Sequence, residues 1–418
     1  MYLTVEEQRM YAGEEGPGVQ SAMELLVSLG EVYGAPRLIK IVSAHATART
    51  YKVGKEHKIQ WMQDLVDRGA RFRVLTTVNP GQVDFEQYRE MGLPEKLVEQ
   101  QKMADMPYVR LGVAPIDTCL PYLHGNLPRL GEHFSWGGSS GQIFANSVLG
   151  ARGNRDGAPL VIASAITGRT AEYGLHLDEN RRGQVLVDTS QLDLQRVSLA
   201  DYAAIGYYLG YTLLDKIPVF PNLPRDISQE ELRALTAGMP AGGAITLCHV
   251  VGVTPEAPTL EAAFGGRNPE EKIGISAAEI KRGYQLLTTA KSDTVDAVVF
   301  GCPHCSLTFI MEIAKMLGGR GVNSGVKLWI STSKHIQVVA QQMGLVDVIK
   351  KAGGLVLAGV CVGPGASFEL MDGVKTVATS NSRAAYYIPG ASGAGVIFGD
   401  VSDCIEAAIT GKWRGQRE

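Results

Sequence analysis

From Ile245 to Val401 the chain repeats one pattern, an apolar run of strand length followed by a stretch with helical periodicity. The runs are ITLCHVV, DAVVFG, VKLWIST, LVLAGVCV, KTVATS and GVIFGDV. Runs that are apolar on both faces and separated by crossover-length helices predict parallel strands in layered α/β architecture. The first hundred residues alternate in the same way. Residues 5 to 33 read as one helix capped by Thr4 and stopped at Gly34, and the strand RLIKIVSAH follows. Helical runs at 56–68 and 83–105 then flank the strand FRVLTTV. Residues 197–214 read as an apolar, tyrosine-rich helix, and PVFPNLPRD as a proline-punctuated connection.

A chain of 418 residues exceeds one ordinary core, so two or three domains or one large composite domain are expected. The character of the sequence divides it into an N-terminal α/β part (1–106), a polar glycine-rich region with helices (107–225) and C-terminal α/β lobes (226–418). The net charge is −3, and no Lys/Arg cluster is interleaved with aromatics, which argues against a nucleic-acid partner. No apolar stretch is long enough to span a membrane, and the N-terminus lacks the form of a signal peptide, so a cytoplasmic protein is expected. Six cysteines are too sparse for a disulfide scaffold; in a reducing compartment they pack, react or bind metal.

Three of those cysteines occupy suggestive places. Cys302 lies where the run DAVVFG gives way to a helix, a junction whose N–H groups and dipole favour a thiolate. Cys361 closes the run LVLAGVCV, and Cys119 lies in IDTCLPY. Cys302 and Cys305 together form CPHC, which taken alone fits thioredoxin-type redox, zinc with further ligands, an iron–sulfur cluster, or simple packing. Cys248 and Cys404 read as packing residues. The polar region supplies EHFSWGGSSG with Ser139 and Ser140, GARGNRDG with Asn154 and Arg155, and EYGLHLDENRRG with His176. Polar stretches of this length inside an enzyme tend to carry function. At another strand-to-helix junction, Asn381, Ser382 and Arg383 could cap a helix or bind an anionic oxygen. Ser333 before Lys334 reads as a cap, and His57 and His335 as surface residues.

The runs TCLPYLHGNLPRLGEHFSW, FANSVLGARGNRDG, ITGRTAEYGLHLDENR, FGCPHCS and TSNSRAAYYIP resemble the large subunit of aconitase X, a branch of the aconitase superfamily. The resemblance implies an aconitase-like, three-lobed α/β core of parallel sheets flanked by helices, with an iron–sulfur site between lobes. It also implies a hydro-lyase that removes water from a small β-hydroxy carboxylate. Cys119, Cys302 and Cys361 fall on the family's cluster-ligand positions, for either a 4Fe–4S or a 2Fe–2S cluster, whereas Cys305 does not. Ser382, Arg383 and His176 are the catalytic candidates; Ser139, Ser140, Asn154, Arg155 and Asn381 are the substrate-binding ones. Two substrates are associated with the family, cis-3-hydroxy-L-proline and mevalonate 5-phosphate. The lack of a Lys/Arg cluster devoted to phosphate points to the first. A separate small subunit carrying a swivelling β/α domain is the expected partner. The chain departs from the family pattern at Gly138, where a glutamate is usual, and at Gly153, where a threonine is usual. Loss of the carboxylate leaves open a changed substrate or a non-catalytic paralogue that only binds a partner.

Overall fold

The computed structural model describes residues 1–363 and 373–415. Fourteen strands fall into four sheets among those residues. In the N-terminal part, β1 (Leu38–Lys40), β2 (Ser43–Ala46), β3 (Leu75–Val78), β4 (Phe134–Trp136) and β5 (Arg169–Ala171) form two of them. One is a parallel sheet of order β3-β2-β4, the other an antiparallel β1-β5 pair. The run RLIKIVSAH is thus two strands in different sheets, broken at Ile41–Val42. The expected helix over 5–33 is likewise two helices, Val5–Tyr11 and Pro17–Val32. Thr4 caps the first as expected, and Gly13 and Gly16 turn the chain between them with φ of 84° and 100°. Only glycine adopts that region readily, so the break is written in the sequence.

A second parallel sheet, order β8-β7-β6-β9, contains β6 (Val185–Asp188), β7 (Pro218–Phe220), β8 (His249–Val250) and β9 (Glu271–Gly274). The first residues of PVFPNLPRD are therefore a strand. Proline is tolerated there because it opens the strand, where a missing N–H costs little. Since β4 pairs with β2 and β9 with β6, the sheets run across residues 107 and 226.

The third parallel sheet has order β12-β11-β10-β13-β14, from β10 (Ala297–Phe300), β11 (Lys327–Thr332), β12 (Gly354–Ala358), β13 (Thr376–Thr379) and β14 (Gly395–Phe398). Both of its faces are covered. Val299, Trp329, Leu357, Val377 and Val396 pack toward the helices Leu199–Leu213 and Ser382–Ser392. Val298, Phe300, Leu328, Ile330 and Ile397 pack toward the helices Leu307–Leu317 and Val401–Thr410. Period-two alternation with apolar residues at both phases explains why the runs read as continuously hydrophobic.

The helices Leu199–Leu213 and Gln229–Gly242 touch along glycines spaced four apart: Gly206 and Gly210 on one, Gly238 and Gly242 on the other. A Cβ at Gly206 would lie 2.0 Å from the Leu235 carbonyl oxygen. The backbones approach as closely as the absence of side chains permits.

In each of the three parallel sheets a middle strand has neighbours reached in opposite directions: β2 between β3 and β4, β6 between β7 and β9, and β10 between β11 and β13. At such switch points the loops leaving the strand ends diverge and open a crevice, which is where open α/β sheets bind ligands. The crevices at β2 and β10 share one cavity.

Candidate active site

The cavity has a volume of about 280 Å³. Residues following β2, β3 and β4 line it on one side: Thr47 and Arg49, Asn79, and Gly137 to Ser140. Cys302, Cys361 and Arg383 line the other, with Cys119 between.

Backbone pairing brings the three cysteine segments together. The segment before Cys119 runs beside β3, with Thr118 N donating to Val78 O at 3.0 Å. Beyond β3, Gly81 N donates to Gly359 O at 2.8 Å and Cys361 N to Gly81 O at 2.9 Å. Asn381 fixes the Cys302 turn, its Oδ1 accepting from Gly301 N at 2.8 Å. Gly301 is obligatory, with a φ of 124° and Ser331 O only 2.5 Å from where its Cβ would stand.

His304, the middle of CPHC, fastens all three. Its N–H donates to Cys119 Sγ at 3.1 Å, its Nδ1 meets Thr118 Oγ1 at 3.2 Å, and its Nε2 meets Val360 O at 3.0 Å. Burial lowers its pKa to about 4, so the ring is neutral. A carbonyl partner requires Nε2–H, which leaves Nδ1 to accept from the Thr118 hydroxyl.

Burial also pushes the Cys119 and Cys302 thiols up to about 12, against the pull of Arg383. The Arg383 guanidinium is 7% exposed, hydrogen-bonds the Cys302 sulfur and lies over the Tyr387 ring at 5.3 Å. Its Nη1 is buried without a partner among the described residues. Three thiols around a buried cation with an idle donor form a poor core but a sound set of metal ligands, because ligation removes the protons that burial retains. Among the described residues no three His, Cys, Asp or Glu side chains converge on a point suited to one ion. Among the described residues the cavity is lined by three cysteines, whose thiolates could hold an iron–sulfur cluster.

Of the residues singled out by sequence, Cys119, Cys302, Cys361, Arg383, Ser139 and Ser140 line this cavity. Ser382 does not; it lines a pocket of about 50 Å³ behind the Cys302–His304 turn, with Cys305 and Arg233. Asn381 lines that same pocket, its side-chain oxygen spent on the turn. Cys305 is 4% exposed within the Phe300–Phe309 core, and burial raises its thiol well above the usual range. Asn154 Oδ1 accepts from Leu175 N at 2.8 Å, and Arg155 Nη1 donates to Gly243 O at 3.3 Å; neither lines the cavity. His176 pairs with His133 through their Nδ1 atoms at 3.0 Å, and burial lowers its pKa to about 3. The polar region's second half therefore braces the lobe, through bonds within itself and to residues such as Gly243 and Glu256.

Sequence reading missed Thr47, Arg49, Asn79 and His304, together with His45, which holds Asn79. Their signal was position: each immediately follows or closes an apolar run, in SAHATAR, LTTVN and FGCPH. The two glycine departures have local causes. A Cβ at Gly153 would lie 2.3 Å from the Phe134 ring, and one at Gly138 3.0 Å from Asn79 Oδ1.

Models of the first, second and third aconitase X domains match residues 1–179, 183–285 and 295–410. The large subunit of phosphomevalonate dehydratase from Methanocaldococcus jannaschii is 39% identical over 97% of this chain and 100% of its own length. The chain belongs to the aconitase X family. The aconitase X member from Thermococcus kodakaraensis, solved in its holo form, superposes with a TM-score of 0.86 at 36% identity, covering 98% of this chain and 100% of that one. The cis-3-hydroxy-L-proline dehydratase of Pseudomonas aeruginosa is 33% identical over 97% of this chain and 70% of its own length. These aconitase X relatives are dehydratases, and the chain is a hydro-lyase of that family. Among the described residues no helix is long and apolar enough to cross a membrane.

Proposed function

We propose that this chain is the large subunit of a mevalonate 5-phosphate dehydratase that holds an iron–sulfur cluster on Cys119, Cys302 and Cys361 and works with a separate small subunit. The observation carrying the substrate is the ranking of likeness: 39% identity to a phosphomevalonate dehydratase large subunit against 33% to a cis-3-hydroxy-L-proline dehydratase. This reverses the preference drawn from the missing Lys/Arg cluster. The helix Ser139–Ser147 opens on the cavity without a side-chain cap. Its first-turn N–H groups and the Ser139 and Ser140 hydroxyls can hold a phosphate with no lysine at all.

A bound cluster would supply an electropositive iron able to act as a Lewis acid toward the substrate hydroxyl. The protein's own contribution is charge placement. Arg383, beside the cysteines, offers its idle Nη1 to the substrate carboxylate as charge develops there. Arg49, held by Asp105 at 2.6 Å and Asp117 at 2.8 Å, forms a rigid wall rather than a mobile ligand. The small subunit completes the open side of the cavity. The test is co-production with the small subunit, anaerobic reconstitution, and turnover of the two substrates side by side. Faster dehydration of mevalonate 5-phosphate is expected; turnover of cis-3-hydroxy-L-proline alone would overturn the assignment.

A further inference from the structure

We infer that Asn79 and Thr47 are substrate-binding residues that receive the phosphate of the substrate, and that the buried His45 is the positioning residue that aims them. The inference rests on the mevalonate 5-phosphate reading and extends it to named atoms.

The direction of every hydrogen bond in this group follows from one starting point. Asn126 Nδ2 donates to Thr77 Oγ1 at 2.9 Å, so the Thr77 hydroxyl hydrogen is left to donate onward. It meets His45 Nδ1 at 2.7 Å; because Asn79 Oδ1 can only accept and takes its hydrogen from Nε2, Nδ1 of the neutral ring accepts from Thr77. His45 is fully buried, and burial lowers its pKa to about 4, so it carries one proton, on Nε2. That proton goes to Asn79 Oδ1 at 2.8 Å. The amide is thereby oriented with its Nδ2 outward. One Nδ2 hydrogen reaches Thr47 Oγ1 at 3.2 Å. Because Thr47 Oγ1 accepts there, its own hydroxyl hydrogen is free to donate, and the second Nδ2 hydrogen meets no acceptor among the described residues.

Asn79 and Thr47 both line the cavity, whereas His45 does not. The relay thus ends in two donors on residues that line the cavity. Donors fixed without compensating carboxylates recognise an anionic oxygen. They stand beside the opening turn of the helix Ser139–Ser147, since Asn79 Oδ1 is 3.0 Å from where a Gly138 Cβ would be. Arg383 stands with the cysteines instead, and its guanidinium hydrogen-bonds the Cys302 sulfur. A substrate with a carboxylate at one end and a phosphate at the other has a separate set of donors for each.

The experiment uses the reconstituted two-subunit enzyme, with iron content checked for every variant. Inorganic phosphate binding is measured by calorimetry for wild type, N79D, T47V, H45Q and H45L. N79D replaces a donor by an anion and is expected to weaken phosphate at least tenfold, about 1.4 kcal/mol. T47V should weaken it about threefold. H45Q, which can still donate to Asn79 Oδ1, should bind better than H45L. In turnover of mevalonate 5-phosphate, N79D should raise KM tenfold with kcat changed less than threefold. Unchanged phosphate affinity in iron-replete N79D would overturn the inference even if wild type dehydrates mevalonate 5-phosphate. Phosphate binding that N79D abolishes, in an enzyme that turns over neither substrate, would uphold it while sinking the substrate assignment.

Discussion

The backbone N–H of His304 donates to the sulfur of Cys119, 185 residues away in sequence, at 3.1 Å. The same residue's ring holds Thr118 and the carbonyl of Val360. The middle residue of the CPHC motif is therefore what brings the Cys119 and Cys361 segments to Cys302. His304→Ala leaves the backbone bond but removes both ring contacts, so that the Val360 carbonyl keeps only the Ser331 hydroxyl. The expected loss is roughly 1–3 kcal/mol of stability, about 0.5–1.5 for each of the two hydrogen bonds. Bound iron should fall as well. Chemical unfolding and iron-to-protein ratio measured on the same sample check both; full iron with unchanged stability would show that the cysteines need no such fastening.

The two cysteines of the CPHC motif divide sharply. Cys302 lines the cavity, and Cys305 is packed among aromatic side chains on the far side of the turn. Cys302→Ser should abolish cluster binding, seen as loss of visible absorbance and iron, as should Cys119→Ser and Cys361→Ser. Cys305→Ala should retain iron and turnover and lose only about 1 kcal/mol through the small void it leaves. Loss of iron in Cys305→Ala would move the ligand set onto the CxxC.

How much of this was visible in the sequence depends on whether the cause is local or long-range. The parallel sheet around Cys302 was legible because strands buried on both faces must be continuously apolar, and the β10 to β14 runs are. Cys302 and Cys361 stood out because each closes such a run, whereas Cys119 lies in no strand and was picked out by the resemblance of IDTCLPY. His176, Asn154 and Arg155 misled, because polar density marks both sites and self-bracing loops. Only tertiary contacts, such as Arg181 on Glu256 at 2.7 Å, separate the two cases. Asn79 and His45 were passed over for the opposite reason. Each sits among small polar residues at a strand end, and its meaning lies in hydrogen bonds that only the fold brings together.

Acid should destabilise the protein in a defined window. His45 and His304 are fully buried or nearly so, and burial lowers both from 6.5 to about 4. A depressed folded-state pKa means the unfolded chain binds the proton more readily. Stability is thus complete above about pH 6.5 and is lost as pH falls toward 4. Each histidine contributes up to about 3 kcal/mol over that interval. Urea unfolding at pH 7.5, 6 and 5 should show a falling midpoint. H45Q should flatten that slope while lowering the midpoint at pH 7.5; an unchanged slope would mean that His45 is not a source of the acid sensitivity.

The glycine seam tests whether the helices Leu199–Leu213 and Gln229–Gly242 are held by close backbone approach. Gly206 faces the Leu235 carbonyl, and Gly238 faces the Tyr207 N–H, with built Cβ positions 2.0 and 2.6 Å from those atoms. On helix propensity alone, Gly→Ala at either position should stabilise by up to about 1 kcal/mol. Overpacking opposes it, costing about 1–3 kcal/mol when side chains can yield, and more here because the obstacle is backbone. The second effect wins, and the helix Leu199–Leu213 also carries Ala200, Ala203 and Ala204 into the core beneath the Cys302 sheet. Gly206→Ala should therefore lower the unfolding midpoint and loosen the cavity, reducing bound iron as well. Gly69→Ala, where a Cβ meets nothing but φ is 82°, provides the control for strain without overpacking. It should cost stability without any loss of iron, and equal iron loss in the two variants would sink the seam argument.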